Sequence, residues 1–143
     1  MAEVLAGFVC GYALAIIATP FAALALVRAR VNSARLRQLV PEGTSLVAVS
    51  VVLHGFAFLT LTALGIVLGL LLHGIEASNP AGGLGSPNGV YTGFILATSA
   101  IAVGPLALIV SRLRLPLLAA GLLFAGLFGW FMPYLSLWGP NGG

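Results

Sequence analysis

The stretch Val27-Arg28-Ala29-Arg30-Val31-Asn32-Ser33-Ala34-Arg35-Leu36-Arg37 decides how the whole chain is read. It separates two apolar runs without a single charge, at about residues 4–27 and 46–72, and carries four of the six arginines. The other two, Arg112 and Arg114, separate a second pair of uncharged runs, at about 90–110 and 115–137. Neither terminus nor the 73–89 connection holds an arginine, and the chain has no lysine. Basic loops are retained on the cytoplasmic side of a membrane. The spacing therefore predicts an all-α integral membrane protein: four transmembrane helices in an up-down bundle of two hairpins, with both termini non-cytoplasmic. The inner segments are then 28–45 and 111–114, and the outer loop is 73–89.

The lengths agree. At 1.5 Å per residue the runs extend about 36, 40, 31 and 34 Å, against a hydrocarbon core of about 30 Å. The second is too long to cross upright, so it tilts or projects. Strands with open edges would leave backbone groups unpaired in lipid, which leaves helices. Composition points the same way: 60% of the 143 residues are hydrophobic and 6% charged, too few charges to cover a water-facing surface. A cleaved signal peptide is not expected, because Glu3 stands where a basic segment belongs and the first run is too long. The chain is thus one membrane domain, and a bacterial-type inner (plasma) membrane is the expected location.

The connections carry turn and cap chemistry. In 28–45, the segment Ala34–Val40 before Pro41 has room for a short interfacial helix. Thr44 or Ser45 can cap the second span. Residues 78–89 are rich in Gly, Pro, Asn and Ser, and Pro116 fits the first turn of the fourth span. Trp130, Phe131, Tyr134 and Trp138 form an aromatic belt at the outer interface, with Tyr91 at the same level. Pro20 and Pro105 sit inside spans one and three and predict kinks there. Gly7-Phe8, Pro20 and Arg28-x-Arg30 parallel Gly93-Phe94, Pro105 and Arg112-x-Arg114, which hints at a duplicated hairpin.

Three runs of small residues stand out: Gly7-x3-Gly11, Gly65-x3-Gly69 and Gly121-x3-Ala125-x3-Gly129. Such faces allow close helix approach, which drives association where lipid removes the hydrophobic incentive. These are more faces than one bundle requires, so at least one is expected to meet another polypeptide, with Gly65 and Gly69 the leading pair. All six arginines, Arg28, Arg30, Arg35, Arg37, Arg112 and Arg114, are juxtamembrane, so anionic lipid is the expected contact and nucleic acid is not.

Ionisable groups within the spans are few. His54 lies in the inner part of span two, and an intramembrane histidine is a functional candidate: a haem or chlorophyll-type pigment ligand, a proton relay or a hydrogen-bond donor. The bland alternative is a neutral ring bonded to Thr19, Thr98 or Ser99. His73 lies about 28 Å further along the helix, so the two cannot share one metal. Cys10, the lone cysteine, reads as a small buried hydrophobe. The sequence has no Asp, and Glu3, Glu42 and Glu76 all fall outside the four runs. Without an intramembrane carboxylate or a metal-ligand cluster, no enzyme is expected.

These features point first to a small accessory or structural subunit of a larger membrane complex, of energy-converting, respiratory or photosynthetic type. Its expected partners are lipids and larger integral membrane subunits. A homo-oligomeric channel or small transporter is the alternative, and a haem- or pigment-holding subunit built on His54 the third.

Overall fold

A computed structural model describes residues 1–31, 34–39, 43–79, 88–109 and 114–138. Among these the chain is all-helical. α1 is Ala2–Arg30, α2 Ala34–Leu39, α3 Leu46–Ser78, α4 Gly89–Ile109 and α5 Arg114–Phe124. A π-helical segment, Ala125–Phe131, continues α5 and passes into α6, Met132–Leu137. Three helices are long and apolar enough to cross a membrane: α1, α3 and the continuous 114–137 helix. α4 is shorter, at 21 residues or about 32 Å.

α2 occupies the segment expected to be interfacial, and the Ser45 hydroxyl accepts from Ala48 N at 3.1 Å to start α3. Pro41 and residues 80–87 and 110–113 lie outside the described residues. α3 is longer than its apolar run. The sequence reading ends the span at Leu72, whereas the helix continues to Ser78 and carries His73 and Glu76 with it. Nothing between Leu72 and Ser78 breaks a helix except the tolerable Gly74. The stop comes at Asn79, which precedes Pro80 and is thereby biased away from helical backbone. At 33 residues, α3 extends about 50 Å, longer than a 30 Å hydrocarbon layer is thick.

The helices form two antiparallel pairs. α1 and α3 make by far the most extensive contact, running from Glu3 against Gly69 at one end to Ala23 against Val49 at the other. The approach is backbone to backbone. A Cβ placed on Gly7 would overlap the Gly65 carbonyl, and one on Gly65 would overlap the Gly7 carbonyl. Gly11 lies against the Leu61 carbonyl in the same way, and Gly69 against that of Glu3. The Gly65–Gly69 face therefore belongs to α1 of the same chain. The sequence expectation that it meets another polypeptide fails, because the Gly7–Gly11 face of the same chain is complementary to it and fills it.

The second pair is α4 against α5 and its continuation. Gly121 and Gly129 turn towards α4, with Val103 Cγ2 3.1 Å from a Cβ at Gly121 and Ile95 Cγ2 3.3 Å from one at Gly129. Ala125, between them, is buried. Two hydroxyls of α4 stitch this seam: Ser99 donates to the Gly121 carbonyl at 3.0 Å and Thr92 to the Gly129 carbonyl at 2.6 Å. The second bond has a clear cause. Pro133 has no N–H, so the carbonyl four residues before it cannot take its helical bond, and Thr92 supplies the donor. The same proline explains why the helix widens here, with Met132 N bonded five residues back to Leu127 O. α3 has no such segment, so the two pairs differ where a duplication would make them alike.

The pairs join at the end that holds the termini. Ala6, Cys10 and Leu14 of α1, with Leu68 and Leu72 of α3, pack on Tyr91, Ile95, Phe128 and Met132. Cys10 is buried there as a small hydrophobe. Tyr91 is not part of an interfacial belt: it is wholly buried, with its hydroxyl 3.9 Å from Met132 Sδ. Trp130, Tyr134 and Trp138 do stack in sequence along one helix, with ring centroids 5.9 and 6.0 Å apart. Asn88 ties the pairs together. Its Nδ2 donates to the Asn79 carbonyl at 2.7 Å, while its Oδ1 caps α4 by accepting from Tyr91 N at 3.1 Å. Pro20 and Pro105 lie within α1 and α4, and neither helix is interrupted at them.

The glycine contact sets a sharp test. Gly65→Ala should destabilise the protein by about 1–3 kcal/mol, since the added methyl meets backbone that cannot yield. Gly126→Ala, where a Cβ meets nothing within 4 Å, should be neutral or slightly stabilising. Thermal unfolding of the two variants in one detergent compares them directly.

Candidate functional site

His54 comes from the third turn of α3 and faces α1. Its Nδ1 lies 3.2 Å from Thr19 Oγ1, and Thr19 Oγ1 also lies 2.6 Å from the Ala15 carbonyl. A hydroxyl has one proton. The short contact to a carbonyl, which can only accept, takes that proton, so the longer contact must be donated by the ring. The geometry thus places a proton on Nδ1, which leaves Nε2 as the lone-pair nitrogen of the neutral form of the ring. Of the three partners the sequence offers, Thr19 is the one used. Ser99 is bonded across the second pair, and Thr98 turns back to the Phe94 carbonyl.

The ring ends a file of aromatic edges along the α1–α3 seam. Phe8 meets Phe58 at 6.3 Å, Phe58 meets Tyr12 at 5.6 Å, and Tyr12 meets His54 at 6.4 Å, all edge-on. Sequence reasoning did not find this file. The signal was present as a four-residue spacing in both helices, Phe8 to Tyr12 and His54 to Phe58, but the pairing of the helices had to be known first. Beside His54 lies a lateral pocket of about 330 Å³, walled by Ile16, Thr19, Pro20, Ser50 and Val51.

A larger cleft of about 420 Å³ opens between the pairs, where α3 and α4 scarcely touch. Leu64 and Leu68 form one wall, Phe94 and Ala102 of α4 another, and Ala120 and Phe124 of α5 the third. Its lining is almost wholly apolar. The glycine faces expected to bind partners do not line it, apart from Gly121.

The arginines divide. Arg28 and Arg37 are exposed, as a headgroup contact requires. Arg114 has a second role: Nε donates to the Ala107 carbonyl at 3.0 Å and Nη2 to that of Leu108 at 3.4 Å. These carbonyls belong to the last described turn of α4, so Arg114 bonds back to the end of the helix that precedes it. The Arg30 and Arg35 side chains and Arg112 lie outside the described residues. At the opposite end, His73 Nδ1 approaches Glu3 Oε1 at 3.3 Å and links the C-terminal part of α3 to the start of α1. Glu76 Oε1 is buried nearby without a partner. Among the described residues no three His, Cys, Asp or Glu side chains converge in a manner that could hold a metal ion.

Comparisons with known proteins add no name: no family model, no curated protein and no solved structure matches this chain.

The tautomer can be measured. In ¹⁵N-histidine-labelled protein in lipid nanodiscs, the His54 signal should report a protonated Nδ1 and a bare Nε2. Thr19→Val should shift the ring towards a mixture of tautomers. A protonated Nε2 in the unaltered protein would reverse the assignment.

Proposed function

We propose that this protein is a small accessory subunit of a larger membrane complex, and that the cleft between its two helix pairs receives side chains from a transmembrane helix of a larger subunit. The open cleft is the observation that carries this reading. The pairs meet at the terminal end and part along α3 and α4, which leaves an apolar surface between them for another helix to cover. Small residues in two of its walls, Ala102 and Ala120, favour a helix, since close approach is what small side chains permit in lipid. The interior hydroxyls support a structural role: Thr92 and Ser99 are committed to backbone carbonyls of the neighbouring helix.

In this reading the chain crosses the membrane four times, with both termini on the non-cytoplasmic side. α4, about 32 Å long, is sufficient for the third crossing. The arginine ends, bearing Arg28, Arg37 and Arg114, then face the cytoplasm and the anionic headgroups of that leaflet.

Filling the cleft tests the proposal. Ala120→Leu in the full chain should leave expression, insertion and thermal stability near their original values, because the added volume projects into open space. Co-purification of larger membrane polypeptides from gently solubilised native membranes should fall sharply. Recovery of the same polypeptides in the same ratio would place the partner surface elsewhere, and recovery of the chain alone before any substitution would remove the proposal.

A further inference from the structure

His54 Nε2 is chemically unfinished. With Nδ1–H donated to Thr19, Nε2 is the lone-pair nitrogen of the neutral form of the ring. No donor reaches it among the described residues, and it is not sealed within them: among the described residues Glu76 Oε1 is the one buried side-chain polar atom lacking a partner. His54 lies eight residues into α3, about 12 Å along its axis and within its uncharged apolar run. An unpaired polar atom among apolar surroundings is costly. No described residue of this chain completes it.

Three observations limit the chemistry of that missing group. First, a neutral imidazole with Nδ1–H held by a neighbouring oxygen and Nε2 bare is the arrangement of metal-ligating histidines, in which the outer bond fixes ring orientation and raises ligand basicity. Second, no further His, Cys, Asp or Glu joins it among the described residues, so a metal would have to arrive with its other ligands already supplied. Third, the pocket beside the ring is open on the lipid side, and its walls are mainly hydrocarbon from Ile16, Pro20 and Val51. This surface suits a flat apolar body and offers little to a heavily hydroxylated headgroup. We propose that His54 Nε2 is the single axial ligand of a lipid-soluble metallotetrapyrrole seated against the α1–α3 pair. Thr19 is a positioning residue for this bond, and Tyr12 supports the ring edge-on. The site stands apart from the cleft of the proposed partner helix, so it can be tested on the isolated chain.

Zinc porphyrin is the appropriate probe, because it is five-coordinate and takes one axial nitrogen. Titrated into the full chain in nanodiscs, it should shift its visible absorption bands and saturate at one per chain. Metal-free porphyrin, which partitions equally well but cannot be ligated, should show no histidine-dependent change. His54→Asn retains a side-chain N–H in the place of Nδ1, and so the bond to Thr19, but has no counterpart of Nε2. It should unfold at the original temperature and give no band shift. Thr19→Val should weaken binding by about 10–100-fold, the usual consequence of removing an outer-shell bond. Should His54→Asn fail to fold, ¹⁵N-histidine spectra of the unaltered protein decide, since zinc porphyrin must move Nε2 more than Nδ1. An equal band shift in His54→Asn, or no shift and no change at Nε2 in the unaltered chain, overturns the assignment.

Discussion

Two carbonyls and two glycines set the dimensions of this molecule. Gly7 and Gly65 each lie against the other's backbone, and a side chain on either would push α1 and α3 apart. That contact brings Thr19 within reach of His54, aligns Phe8 and Tyr12 with Phe58, and lets His73 approach Glu3. Lipid solvates apolar side chains as well as a neighbouring helix does, so shape and backbone proximity must supply the association. The same logic governs the second pair by a different device. There the surfaces approach through Gly121 and Gly129, and hydroxyls from α4 take up carbonyls on the opposite helix. One of those carbonyls exists as an open acceptor because Pro133 follows it. A helix-breaking residue thus becomes an attachment point, at an interhelical bond worth about 0.6–2 kcal/mol in lipid.

Much of this was legible in the sequence. The apolar runs gave the helices because their lengths match the hydrocarbon layer, and the cap of α3 was narrowed to Thr44 or Ser45, of which Ser45 is the one used. The glycine runs were legible as packing faces, but their partners were not. A Gly-x3-Gly face specifies that something approaches closely; which helix does so depends on complementarity between two faces distant in sequence. The excess of such faces suggested an external partner, whereas pairing Gly7 and Gly11 with Gly65 and Gly69 accounts for both within one chain.

The candidate site was half legible. His54 stood out as an ionisable residue at depth, and Thr19 was among its expected partners. The tautomer was out of reach, because it follows from two distances that share one proton. Asn88 and Arg114 were missed in their structural roles. Asn88 sits in a turn-rich stretch where any Asn is unremarkable, and it acquires its function only when the ends of α3 and α4 come together. Arg114 read as a topology signal, and its cap on α4 depends on a chain reversal too short to resolve by spacing. The π-helical segment left no mark in the apolar pattern, since shifting from four- to five-residue bonds changes no residue type.

The central claim is that the α1–α3 glycine contact forms within one polypeptide. Spin labels at Leu5 and Leu70, exposed positions on the two helices near the terminal end, test it most directly. Doubly labelled chain reconstituted with a large excess of unlabelled chain should keep a short, narrow inter-label distance in pulsed dipolar spectroscopy. Loss of that distance on dilution, with its appearance in mixtures of singly labelled chains, would mean that the two glycine faces meet between molecules and would contradict this fold.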